Sequence, residues 1–127
     1  MIQKRVLVVD DDAAIRQMFI TLLHRNGYAV DDASDGKQGL LRIRSDEYDA
    51  IILDLMMPVV SGFEFLEAVA RDMPATMQRI IVTTGASRND LRKLDVSQIF
   101  ALIRKPFDIH ELLRKVGECS DKQNIVR

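Results

Sequence analysis

The sequence predicts an α/β domain in which a parallel sheet is covered by helices on both faces, and three observations predict it. Short runs rich in β-branched residues alternate with longer segments of helical periodicity, the texture of a chain built from βα units. The run Ile51-Ile52-Leu53 lacks polar alternation, as expected of a strand buried on both faces. The 127 residues, 47% hydrophobic and 29% charged, suffice for one domain with a full core.

The first strand, 6–9, ends in Asp10-Asp11-Asp12. Ile15, Met18, Phe19, Leu22 and Leu23 then follow the i, i+3, i+4, i+7 pattern of an amphipathic helix. Asn26-Gly27 closes that helix, since glycine accepts the left-handed conformation of a helix end. A second strand covers 28–33, and Ser34-Asp35-Gly36 caps the second helix. The third strand, 50–53, runs into Asp54, and Pro58 with Gly62 marks the loop before a third helix carrying Phe63, Leu66, Val69 and Ala70. The fourth strand is 80–84. The helix expected over 87–95 has the thinnest signal, with Leu91 and Leu94 as its only large apolar residues. The fifth strand, 100–103, leads to Lys105-Pro106, and Ile109, Leu112, Leu113 and Val116 define the last helix. The domain is expected over 1–119. Residues 120–127 show no core-facing stripe and read as a frayed tail or the start of a linker.

A net charge of -1 and a pI near 6.1 exclude a strongly basic nucleic-acid surface, so any partner is recognised by a local patch. The single Cys119 forms no intrachain disulfide. The apolar run at 6–9 is too short for a signal peptide or a membrane span, which sets the expectation of a cytoplasmic chain without membrane contact.

In an open parallel sheet, the loops leaving the carboxyl ends of the strands line one crevice, and ligands bind there. Sorting polar residues by that rule places Asp10-Asp11-Asp12, Asp54, Thr83-Thr84 and Lys105 at the same edge. Each has an ordinary structural explanation by itself. Asp11 or Asp12 would cap a helix, Asp54 would be the first solvated residue after a strand, Thr83 a strand former and Lys105 a surface charge. Convergence of all of them weakens those explanations jointly. Carboxylates roughly 4 Å apart repel by about 4 kcal/mol per pair at an effective dielectric near 20. A cluster of Asp10, Asp11 and Asp54 therefore calls for a cation, and Mg2+ suits an all-oxygen donor set. His24, His110 and Cys119 form no softer ligand set. A carboxylate can also attack phosphorus, and such transfer needs charge stabilisation more than covalent help.

The segments Val8-Val9-Asp10-Asp11-Asp12, Ile52-Leu53-Asp54-Leu55-Met56-Met57-Pro58 with Gly62, Val82-Thr83 and Lys105-Pro106-Phe107 occur in order. With them the chain resembles the receiver domains of two-component response regulators, from residue 4 to about residue 117. The resemblance implies a doubly wound (βα)5 flavodoxin-like fold of strand order 2-1-3-4-5. It implies that Asp54 accepts a phosphoryl group from a sensor histidine kinase or a histidine phosphotransfer protein. Asp11 and Asp54 would bind Mg2+ directly, with the carbonyl of Met56, while Asp10 would act mainly through water. Lys105 would contact one phosphoryl oxygen, Thr83 would close over another, and the Lys105–Pro106 bond would be cis. Such a domain is a phosphoacceptor that catalyses its own phosphorylation and dephosphorylation rather than a conventional enzyme. Its partners would be a downstream effector or a fused output domain, without direct nucleic-acid binding, and a phosphorylation-dependent homodimer is compatible with it.

Two positions depart from the commonest pattern. Leu102 stands where receivers often carry an aromatic switch residue, with Phe100 two residues earlier. Thr84 stands where a small residue is frequent, and its bulk is expected to slow phosphoryl exchange with water. Of Met56 and Met57, one is expected to pack and the other to lie exposed. The main rival is a Mg2+-dependent phosphohydrolase of the haloacid-dehalogenase type, with Asp10 as nucleophile and Asp12 as acid/base. It needs a further acidic pair after the lysine, whereas Asp108 and Glu111 open a helix. A second rival keeps the fold as a binding module that no longer uses phosphate. The intact set of Asp10, Asp11, Asp54, Thr83 and Lys105 speaks against it.

Overall fold

A computed structural model of the chain describes residues 3–85 and 90–126. The strands are β1 (Arg5–Val9), β2 (Ala29–Ala33), β3 (Ala50–Asp54), β4 (Ile80–Thr84) and β5 (Ala101–Arg104). The helices are α1 (Ala13–Arg25), α2 (Gly36–Ser45), α3 (Gly62–Asp72) and α4 (Ile109–Val126). All strand pairs are parallel and the order is β2-β1-β3-β4-β5, as the resemblance implied.

Local chemistry sets the helix ends. The Asp12 carboxylate accepts from the amides of Ala14 and Ile15 at the start of α1. Asp35 caps α2 through the Gln38 amide, and Ser61 with Glu64 forms a capping box on α3. Gly27 takes φ 88 after α1, the left-handed conformation expected there. The Lys105–Pro106 bond is cis.

Because successive strand residues face opposite sides, the sheet divides its side chains between two core layers. Leu7, Val9, Ile51, Leu53, Ile80 and Val82 pack in the layer that holds Phe65, Leu66 and Val69 of α3. Val6, Val8, Ala50, Ile52, Ile81 and Ile103 pack with Phe19 and Leu23 of α1 and Leu112 and Val116 of α4. Met18 belongs to the expected apolar face of α1 yet is 39% exposed.

Two expectations need correction. Where a fourth helix was expected, the described residues form short 3-10 turns at Asp90–Lys93 and Val96–Gln98, and residues 87–89 lie outside the described set. Among the described residues at 90–98, Leu91 and Leu94 are the large apolar groups packed against the core, and Asp95 turns the chain early by accepting from the Ser97 amide. At the other end, the last helix runs on to Val126, through the segment read as a frayed tail or the start of a linker. Cys119 and Ser120 are fully buried, Lys4 pairs with Asp121, and the Lys122 ammonium lies 5.9 Å from the Phe100 ring centroid. Its attachment is made by polar and aromatic partners that hydrophobic periodicity does not register.

Candidate functional site

The same two-residue alternation that builds the core also gathers the polar groups. Val6 and Val8 lead to Asp10, Ala50 and Ile52 to Asp54, Ile81 to Thr83, and Ile103 to Lys105. Each polar residue extends a row facing α1 and α4, one step past the last core residue of its strand. Parallel pairing without stagger then brings the strand ends level, with Asp54 opposite Thr83 and Val9 opposite Leu53.

Carboxylate oxygens of Asp10, Asp11 and Asp54 lie within 4.8 Å of one another. Asp10 and Asp54 are buried, and Asp11 is exposed. The Lys105 Nζ stands 3.7 Å from Asp54 Oδ1, and the Met56 amide donates to the same oxygen at 3.2 Å. Three carboxylates against one nearby ammonium leave two negative charges uncompensated when all are ionised. Burial, followed by the charge of Asp10, pushes the Asp54 carboxyl up to about 6 from 3.8, although Lys105 and the Met56 amide act the other way. Burial likewise raises Asp10, opposed by the Asp12 amide and Lys105.

Two buried oxygens, Asp10 Oδ2 and Thr83 Oγ1, have no hydrogen-bond partner among the described residues. Groups of this kind are costly unless something else satisfies them. Hard oxygen donors, excess negative charge and an unsatisfied carboxylate oxygen together fit a cation of the Mg2+ type.

The other expectations fall as follows. Met57 is buried and Met56 is 55% exposed, the expected division of labour. Leu102 is half-buried against the layer that holds Leu91 and Leu94, and it carries no hydroxyl. Thr84 is fully buried, and alternation aligns it with Ile80 and Val82 on the layer opposite Asp54. The expected obstruction of the phosphoryl pocket by Thr84 is therefore not carried by its position. Asp12, the acid/base of the phosphohydrolase rival, is committed to capping α1.

Two residues near the rim carried no signal in the sequence. Val59 adopts φ 68 in the loop between β3 and α3. Arg16 reaches back from α1, donating through Nη1 to the Asp10 carbonyl and through Nε to Asp32, each at 2.8 Å. Helical side chains lean toward the helix N-terminus, so an arginine on the first turn is aimed at the strand end.

A doubly wound parallel sheet with acids, a hydroxyl and an amine at its carboxyl edge defines an α/β domain whose polar groups converge where open parallel sheets bind their ligands. Comparison with known proteins gives the family: residues 6–117 match the response regulator receiver domain, and the chain belongs to that family. It is 37% identical over 116 residues to response regulator MprA of Mycolicibacterium vanbaalenii, covering 88% of this chain and 48% of that protein. The chain thus spans about half the length of the curated relatives it matches. A CheY-like receiver domain from Methanospirillum hungatei superposes with a TM-score of 0.88 at 31% identity, covering 99% of this chain and 100% of that one. TrrA of Thermotoga maritima, solved in complex with Mg2+-BeF, gives 0.79 at 33% identity, covering 92% and 99%. Among the described residues no helix is long and apolar enough to cross a membrane.

Proposed function

We propose that Asp54 accepts a phosphoryl group from the phosphohistidine of a sensor kinase or phosphotransfer protein, in a reaction that requires Mg2+. The observation that carries this reading is the trio of Asp10, Asp11 and Asp54 within 4.8 Å, with Lys105 beside the Asp54 carboxylate. A carboxylate oxygen of Asp54 attacks phosphorus, the P–N bond breaks, and the departing imidazole keeps the electron pair and takes up a proton. Asp10, Asp11, Asp54 and the Met56 carbonyl would hold the Mg2+, which when bound offsets negative charge on the transferring group. Lys105 supplies a fixed cation to a phosphoryl oxygen, and the unpartnered Thr83 hydroxyl donates to another. The MprA relative is a response regulator by name, and TrrA binds Mg2+ with a beryllofluoride group, which supports the same chemistry here.

The phosphoryl group replaces a single negative charge with about two and adds acceptor oxygens. Thr83 and Lys105 sit at the ends of β4 and β5, so the change biases the surface formed by the turns at 90–98, β5 and α4. That surface would engage a downstream effector or an attached output domain in the cytoplasm, and the chain would act as an autocatalytic phosphoacceptor rather than a conventional enzyme. The test is NMR titration with beryllofluoride in Mg2+ buffer. Slow-exchange shifts are expected around Asp54, Thr83 and Lys105 in the wild type and none in Asp54→Asn; equal shifts in both would refute the assignment.

A further inference from the structure

We infer that Arg16 is a positioning residue for the cation site, holding the Asp10–Asp11 segment in the conformation that binds Mg2+. This rests on the reading of Asp10, Asp11 and Asp54 as cation ligands.

The segment leaves β1 at its carboxyl end and must keep two carboxylates aimed at Asp54 before α1 begins. The Asp10 amide is anchored to the Ala33 carbonyl at 3.2 Å, and the Asp10 Oδ1 accepts from the Asp12 amide at 2.9 Å. Those bonds leave the Asp10 carbonyl, the pivot of the peptide joining it to Asp11, to Arg16 Nη1 at 2.8 Å. The guanidinium is itself fixed by Nε to Asp32, and Asp32 lies on β2 opposite Val8 of β1. The arginine side chain in this pair is only 18% exposed. Arg16 thus ties the ligand-bearing turn to the neighbouring strand with two bonds in a fixed fork.

The bland alternative is that Arg16 and Asp32 form a partly exposed ion pair with no role at the rim, contributing about 1 kcal/mol or less to stability. Charge and geometry predict opposite signs, which separates the two. A guanidinium near a cation site opposes Mg2+ by like-charge repulsion, so removing its charge alone would tighten binding. Removing a brace would loosen it, as loss of outer partners of metal ligands usually does. Arg16→Lys keeps the charge and loses the fork; Arg16→Gln loses both.

The experiment is isothermal titration of Mg2+ alone into wild type, Arg16→Lys, Arg16→Gln and Asp54→Asn, with circular dichroism as the check of folding. The expected result is about tenfold weaker Mg2+ binding in both Arg16 variants at near-native melting temperature. Unchanged affinity in Arg16→Lys, or tighter binding in Arg16→Gln, overturns the bracing role while leaving the cation site intact. If the wild type itself binds no Mg2+, or Asp54→Asn binds as the wild type does, the reading of the site fails first and the inference falls with it.

Discussion

Val59 takes φ 68 and is 84% exposed, a backbone conformation that β-branched residues avoid. The left-handed region costs an L-residue about 1–2 kcal/mol, and asparagine tolerates it because its short polar side chain bonds locally. Val59→Asn is expected to stabilise the domain by about 1 kcal/mol, read as a rise of a few degrees in Tm; a fall in Tm would contradict the strain. Asp54 makes a second residue-scale prediction. Its carboxyl is raised from 3.8 to about 6, so the neutral form is favoured in the fold. The associated stability is complete below the unfolded value and is lost as pH rises through about 6. At neutral pH and without cation, the ionised group therefore costs about 3 kcal/mol. Asp54→Asn should raise Tm at pH 7.5 in EDTA, and the gain should vanish near pH 4 and shrink with Mg2+. A gain independent of pH would show that the carboxylate cluster carries no such strain. Residue identity was the most legible level in the sequence. Asp10, Asp54, Thr83 and Lys105 announce themselves by type and by their place after apolar runs. Arg16 did not, because an arginine on an amphipathic helix looks the same whether it braces a loop or faces water.

The loop between β3 and α3 shows how an element holds the site. The Gly62 amide donates to the Leu55 carbonyl at 2.9 Å, folding the chain back against the strand end just vacated. A Cβ at Gly62 would stand 2.5 Å from the Leu55 Cα, with the Asp54 carbonyl oxygen 2.8 Å away. Those neighbours are backbone of the acceptor strand and cannot give way cheaply. Gly62→Ala is expected to cost about 1–3 kcal/mol by overpacking. It should also weaken Mg2+ binding by displacing Asp54 and Met56; a variant with native stability and affinity would contradict the close approach. Strands and helix starts were legible because β-branched runs, Asp and Ser caps and Gly27 each have one cheap conformation. The 90–98 segment was not, since two leucines amid polar residues specify a helix no better than two 3-10 turns. The carboxyl end of α4 was missed for the opposite reason, its buried Ser120 and paired Asp121 lacking any apolar signal.

Across the whole molecule, the site depends on parity and register together. Four strands each place one polar residue past the last core position on the same face; parallel pairing sets Asp10, Asp54 and Thr83 level, and Lys105 follows two residues beyond Ile103, the partner of Thr83. Strand order came from the family resemblance rather than from any single segment, since local patterns do not specify which strands pair. The core that fixes this arrangement covers both faces and holds the buried Asp10 and Asp54 together at the rim, where a cation would offset their repulsion. We propose that this rim makes Asp54 a cation-dependent phosphoacceptor. Trapping tests it most directly: the protein is incubated with acetyl phosphate, reduced with borohydride and mapped by tandem mass spectrometry, with Mg2+ or with EDTA. Reduction of an acyl phosphate should leave homoserine in place of Asp54, with Mg2+ only. Modification at Asp10, or modification of Asp54 that is equally strong in EDTA, would contradict the account.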